Sequence, residues 1–155
     1  MVEPISYQIE ILKKNVGQEN VKIIKGAITD KKKIEISWDG MTESVPTFSF
    51  KDFLEEHKIN KIDFLKCDCE GGEYDVFQQS NIEFLKTIPK IVTEFHLRDD
   101  ESVNRCKFRW FRDNIFPQFD NIQVFSVDGV DIKWDLWNEH FIEYYNEVIV
   151  YMDNR

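Results

Sequence analysis

The sequence predicts an α/β fold: a mostly parallel sheet covered on both faces, ending in an antiparallel C-terminal strand pair. Three observations carry this. Short apolar runs of strand character alternate with stretches of helical periodicity, the pattern of a sheet built through crossover helices. Residues 62–77, IDFLKCDCEGGEYDVF, run from an apolar strand through acids and a glycine pair into a helix expected near Glu73. Open α/β sheets present sites at the carboxyl ends of strands in this way. Finally, the strands expected at 122–127 and 148–151 have no clear helix between them, which suits an antiparallel pair.

Taken in order, Ile5, Ile9, Leu12 and Val16 fall on one helical face, with Gly17 as a stop. Residues 21–28 read as a strand. Ile34, Ile36 and Trp38 alternate with polar residues and lead to a turn at Asp39-Gly40. Ser49 and Asp52 form a capping pattern ahead of a helix carrying Phe53 and Leu54. After the stretch at 62–77 comes a short helix from Ser80, with Glu83 as its capping partner, and then a strand over 90–97 entered through Pro89. Val103, Cys106, Trp110 and Phe111 mark one face of a helix that Pro117 ends. Asp128-Gly129 turns the chain between the last two strands.

Composition narrows the function. The 155 residues suit a single domain over 1–155, and 42% hydrophobic content with thirteen phenylalanines supports a folded core. A net charge of −9 disfavours nucleic acid and anionic membrane surfaces as partners. No apolar run is long enough to span a bilayer. Three cysteines argue against a disulfide framework and for a reducing, cytoplasmic setting. Cys67 and Cys69 are expected as small apolar core groups.

The chemistry concentrates where strands end. On a strand Lys66, Asp68 and Glu70 would share one face and Cys67 and Cys69 the other. Two neighbouring carboxylates raise the pKa of one, as a poised base requires. Asp68 is thus either a reacting-centre acid or a cap for the glycine turn. Glu94 and His96 alternate onto one face of the next strand, beside Asp68 in a parallel sheet. A neutral His96 is a candidate base near pH 7, or else a hydrogen-bonded structural residue. Trp110, Trp134, Trp137, Phe141, Tyr144 and Tyr145 form an aromatic-rich tail suited to stacking on a sugar ring or to covering the acidic site. His57 and His140 have no such company.

LKCDCEGGEYDVF resembles the signature of the FkbM-type methyltransferases through Leu65, Lys66, Asp68, Glu70, Gly71, Glu73 and Val76. VEPISYQIEILKKNV is similar to that family's EP segment through Glu3, Pro4, Leu12 and Asn15. VKIIKGAITD, VPTFSFKDFL and PKIVTEFH resemble the segments that follow and flank the signature. The resemblance covers about residues 3–96 and weakens beyond. It implies a Rossmann-like methyltransferase sheet and the cofactor S-adenosylmethionine. It also implies that Glu3, at a strand end, accepts hydrogen bonds from the ribose hydroxyls, that Ala27 and Ile28 line the adenine, and that Asp68 borders the cofactor. Asp68, Glu70, Glu94 and His96 become the expected catalytic set, and an oxygen of a sugar or small metabolite the expected methyl acceptor.

One departure shapes the remaining expectations. The family carries a strand and a glycine-rich turn ahead of the EP segment, whereas this sequence begins two residues before Glu3 and contains no G-x-G. The expectation is a domain incomplete at its N-terminus, its first strand and glycine-rich turn missing, with exposed sheet edges favouring a homodimer. Two rivals stand beside a methyltransferase with no resident metal. One is a cofactor-free remnant acting as a binding module; the other is a metal-assisted enzyme using Asp68, Glu70, Glu94 and His96.

Overall fold

In the first fifty-eight residues, pairing is short and local. The computed structural model describes residues 1–16, 20–98, 103–138 and 140–155, and it divides into two compact units, Met1–Lys58 and Ile59–Arg155. The first unit starts with β1 (Val2–Glu3) and α1 (Ser6–Asn15), whose Ile9 is buried. Gly17, expected to stop this helix, lies outside the described residues. The strand expected over 21–28 is split into β2 (Ile24–Lys25) and β3 (Ala27–Ile28). β2 lies parallel to β1, whereas β3 lies parallel to β6 (Thr47–Phe48).

Gly26 sits where the chain changes partner. Its amide donates to the Glu3 carbonyl (3.2 Å), and the next amide, from Ala27, turns to Pro46 (2.9 Å). A Cβ at Gly26 would lie 2.6 Å from Phe48 Cε2, so glycine permits the close approach of the Phe48 ring. Between these strands, β4 (Ile34–Trp38) and β5 (Met41–Val45) form the expected hairpin. Asp39 and Gly40 both have positive φ (49° and 75°), as a two-residue turn of the I′ kind demands. Ser49 caps α2 (Phe50–Glu56), its side chain accepting from the Asp52 amide at 3.1 Å, and the helix buries Phe50, Phe53 and Leu54.

The second unit holds a continuous sheet. It comprises β7 (Leu65–Cys67), α3 (Glu73–Val76), α4 (Ile82–Leu85) and β8 (Lys90–His96), then α5 (Val103–Asn114), β9 (Asn121–Phe125), α6 (Phe141–Tyr144) and β10 (Glu147–Asp153). The strand order is β7-β8-β10-β9. β7 and β8 are parallel, and β10 is antiparallel to both β8 and β9. The antiparallel C-terminal pair is as expected. A single mostly parallel sheet is not what forms: the chain makes this mixed four-stranded sheet and three two-stranded ones. Fold class is therefore mixed α/β.

Nor is this sheet covered on both faces. Ile91, Thr93 and Phe95 of β8 share a buried face with Val148, Val150 and Met152 of β10 and with Ile122 and Val124 of β9. Val92, Glu94, His96, Ile149 and Tyr151, on the opposite face, are half-buried or exposed. Antiparallel neighbours free that face from crossover helices and let it meet water.

β7 is shorter than its apolar run suggests. Its pairing with β8 begins at Leu65 opposite Ile91, which leaves residues 62–64 outside the ladder. Phe64 accordingly ends exposed. The hydrophobic centre is Phe95, fully buried, with ring centroids of Tyr74, Phe77, Phe108, Phe111 and Phe116 5.5–5.8 Å away. Edge-on and tilted ring pairs of this kind add about 0.5–1.5 kcal/mol each beyond burial.

Two expectations about helices change. The buried positions of α5 are Phe108, Phe111 and Arg112, while Val103, Cys106 and Trp110 are exposed. Ser80 caps nothing: it lies within a 3-10 turn (Gln79–Asn81), and Asn81 precedes α4 while donating its side-chain amide back to the Val76 carbonyl at 2.9 Å. Pro117 sits in a 3-10 turn (Phe116–Gln118) just past α5, consistent with helix termination. Among the described residues no helix is long and apolar enough to cross a membrane.

Candidate functional site

The ladder between β7 and β8 ends at Cys67 opposite Thr93. Beyond it the chain turns through residues 68–72, with Glu70 (φ 51°) and Gly71 (φ 97°) both in left-handed backbone. Gly71 is needed here, because that conformation strains any side chain and a Cβ would lie 3.1 Å from Asn104. The Gly72 amide closes the turn on the Cys69 carbonyl at 3.1 Å, and α3 begins at Glu73. Lys66 and Asp68 are on a common side, paired at 2.9 Å. Glu70 is not on the strand, as the alternation had predicted, but in the turn. It still reaches the site, its Oε2 3.3 Å from His96 Nε2.

On β8, Glu94 and His96 share the face opposite buried Thr93 and Phe95. The parallel pairing brings Asp68, Glu94 and His96 together, each offering a ligand atom within 4.8 Å of the others. β10 adds Glu147 opposite His96, with Oε2 4.0 Å from Nε2.

The residue that organises this cluster is Glu73, which sequence reasoning did not single out as a site residue. Its side chain is fully buried. Oε1 accepts from the Cys69 amide and faces His96 Nδ1, both at 2.8 Å; Oε2 accepts from the Gly71 amide at 2.9 Å. One carboxylate thus fixes the glycine turn and orients the imidazole together. The next residue helps, its Tyr74 hydroxyl donating to the His96 carbonyl at 3.0 Å. The available signal was the spacing E-G-G-E: a carboxylate two residues after a left-handed glycine is placed to bond the amides of that turn.

Electrostatics corrects one expectation. The bond to Glu73, with the nearby charges of Glu73, Glu70 and Glu94, raises the His96 pKa to about 9 despite opposing desolvation. The ring is an imidazolium at neutral pH, not the neutral base predicted from the sequence. The Glu94 pKa is also raised, first by burial and then by Asp68. Lys66 is held protonated chiefly by its hydrogen bond to Asp68.

The cysteines are not both core groups. Cys67 is buried and Cys69 exposed, with their sulfurs 3.6 Å apart. Glu3, Ala27 and Ile28 belong to the first unit. Glu3 accepts from the Ile5 amide through Oε1 at 2.8 Å, leaving a second oxygen as acceptor. Ala27 and Ile28 are half-buried in β3. Trp134, Trp137 and Tyr144 are exposed, and the Phe141 side chain lies outside the described residues. His57 ends α2 and His140 lies in a turn before α6.

Two concavities open elsewhere on the second unit. One, of about 340 Å³, is lined by Phe125, Ser126, Ile149 and Tyr151 among others; another, of about 230 Å³, by Tyr74, Gln78, Lys107 and Trp110 among others. Neither contains the Asp68 cluster, whose placement at a strand end is the better guide to function in an α/β sheet.

The model of the methyltransferase FkbM domain matches residues 6–153, across both units. The chain belongs to this family. It is an FkbM methyltransferase domain, as the motif around Asp68 had indicated. No curated protein and no solved structure matches the chain. In this FkbM domain the signature residues Asp68, Glu70 and Glu73 and the strand residues Glu94 and His96 thus form one connected polar cluster.

Proposed function

We propose that this FkbM domain is an S-adenosylmethionine-dependent methyltransferase acting on an oxygen of a sugar or small metabolite. One observation carries the reading: Asp68, Glu94 and His96 converge at the carboxyl end of parallel strands, where α/β sheets bind ligands. In this reading residues 1–155 act as a single Rossmann-like methyltransferase domain working in the cytoplasm.

The residues present suit the cofactor. Glu3 keeps one carboxylate oxygen uncommitted, fitting it to accept from a ribose hydroxyl. Ala27 and Ile28, in the same unit as Glu3, offer half-buried apolar surface for the adenine. When bound, the cofactor supplies an electrophilic methyl group on sulfur.

The protein's part is to orient the acceptor hydroxyl and remove its proton. Glu94, with its raised pKa, takes that proton as the new carbon–oxygen bond forms. His96 serves as a fixed cation that holds Glu70 and steadies developing negative charge on the acceptor oxygen. Positioning supplies much of the remainder, worth up to about 7–11 kcal/mol of barrier in well-oriented systems.

Calorimetric titration with S-adenosylhomocysteine tests the reading, run on this chain and on a version carrying any residues the gene encodes ahead of Met1. Binding, weakened by Glu3→Gln, is the expected result. Glu94→Gln should retain binding and lower methyl transfer about 100-fold or more, as loss of a general base does. No binding by either version overturns the reading.

A metal-assisted variant draws on one specific observation. His96 Nδ1 rests on a buried carboxylate, the arrangement that orients many metal-bound histidines. A divalent cation at Asp68, Glu94 and His96 would have to displace the imidazolium proton. Stoichiometric Mn²⁺ uptake at about pH 7, abolished by Asp68→Asn, supports that variant; no uptake removes it.

A further inference from the structure

The turn after β7 places an exposed thiol two residues beyond a buried one, with the acid of the proposed site between them. Cys67 is fixed by the ladder opposite Thr93, whereas Cys69 lies in the turn beyond it, its amide held by Glu73. Their sulfurs are 3.6 Å apart, and a disulfide requires about 2.05 Å. Two residues of extended chain span at most about 7 Å, near the upper end of the roughly 4.4–6.8 Å Cα range of disulfides. We infer that Cys67 and Cys69 form a hydroperoxide-sensitive dithiol whose closure displaces Asp68.

The two sulfurs are unequal in the way such a pair requires. Cys69 is open to solvent, whereas Cys67 is buried. Cys69 is thus the accessible attacker, reacting through its thiolate, and Cys67 the protected resolving thiol. In the first step the Cys69 thiolate attacks a peroxide oxygen. A sulfur–oxygen bond forms, the oxygen–oxygen bond breaks, and an alkoxide or hydroxide leaves. Cys67 then attacks the Cys69 sulfur: the sulfur–sulfur bond forms, and the hydroxyl departs with the Cys67 proton as water. The two electrons end on the peroxide. A reducing compartment is compatible with this, since intracellular disulfides are typically transient and redox-sensing.

Closure has a direct route to the cluster. The Cys69 amide and His96 Nδ1 meet the same oxygen, Glu73 Oε1, each at 2.8 Å. Drawing Cys69 toward Cys67 therefore disturbs the bond that orients His96, and it rotates Asp68 against its partner Lys66. The consequence for methyl transfer rests on the function proposed above; the thiol chemistry does not.

The test uses the full 155-residue chain carrying Cys106→Ser, which removes the third thiol. After hydrogen peroxide, intact mass should fall by two hydrogens and both remaining thiols should vanish, with dithiothreitol restoring them. Adding Cys69→Ser should abolish that loss. Adding Cys67→Ala instead should leave a dimedone-trappable sulfenic acid at Cys69. Gain of oxygen without loss of two hydrogens, or a disulfide only between chains, overturns the inference. The His96 ring resonances should shift on oxidation and return on reduction; a closed disulfide that leaves them unmoved overturns the coupling to the site. A disulfide that forms while neither this chain nor the longer version binds S-adenosylhomocysteine leaves this inference intact and removes the methyltransferase reading alone.

Discussion

The two units of the chain use the same kinds of element but stabilise them differently. In Ile59–Arg155 a seven-residue strand, β8, is paired on both sides, and its Phe95 packs against five aromatic rings. In Met1–Lys58 two of the three sheets are ladders of two residues each, and the buried apolar side chains are Ile9, Val45, Phe50, Phe53 and Leu54. The contrast teaches where each kind of function can sit. The acidic cluster stands on a strand that packing holds rigid. The proposed ribose and adenine contacts stand on short pairings whose geometry depends on a few local devices, namely a glycine, a tight turn and a helix cap.

The largest test of this contrast is truncation of each core. Phe95→Ala should destabilise the chain by about 3–5 kcal/mol, the usual range for a buried phenylalanine. Ile9→Ala, at the edge of a smaller core, should fall near the lower limit for such changes, about 2 kcal/mol. Urea unfolding measures both. Equal losses would show that the first unit is as tightly built as the second.

Next in size is Glu73→Gln. Glutamine would set an amide N–H₂ against either the Gly71 or the Cys69 amide, leaving a buried donor unpaired at a cost of about 1–3 kcal/mol. The variant also has a pH signature. Because the folded-state pKa of His96 is raised from 6.5 to about 9, its stabilisation is complete below 6.5. It is lost as pH rises through about 9. Glu73→Gln should flatten this decline and move the His96 titration, followed by NMR, down toward 6.5. A midpoint still near 9 would transfer credit for the shift from Glu73 to Glu70 and Glu94.

A smaller effect is expected at Gly26→Ala in the first unit. The new Cβ would meet the Phe48 ring at 2.6 Å and the Pro46 carbonyl at 3.3 Å, an overpacking worth about 1–3 kcal/mol. The ring is the softer of the two neighbours, so a value near the lower end is expected. A neutral result in thermal unfolding would mean that β2 and β3 do not need the close approach.

What could be read from the sequence was whatever a short stretch decides for itself. The Asp39-Gly40 turn, the start of α3 after the glycine pair and the convergence of Asp68, Glu94 and His96 all follow from spacing and strand alternation. What escaped depended on distant partners. The run at 21–28 reads as one strand, but its two halves find different neighbours on either side of Gly26. The apolar run at 62–67 pairs with β8 only from Leu65 onward. Val103 and Trp110 look like core by composition, yet Phe95 selects Phe108 and Phe111. Glu73 was visible as a motif residue, but its role needed the third dimension: only the fold brings His96, twenty-three positions away, to its second side.

The smallest predicted effects separate two serines that look alike in the sequence. Ser49 and Ser80 each precede an apolar helical segment with an acid three residues on. Ser49 has extended backbone and accepts from the Asp52 amide; replacing it with alanine frees one N–H of the first turn and should cost about 1 kcal/mol. The loss falls on α2, which carries Phe50, Phe53 and Leu54, so it weakens much of the first unit's core at once. Ser80 lies exposed inside its 3-10 turn, and Ser80→Ala should stay within about 0.5 kcal/mol of the parent. If the two substitutions cost the same, the local pattern alone sets the energetics. If they differ as stated, it is the backbone ahead of the helix that decides: extended at Ser49, already turned at Ser80.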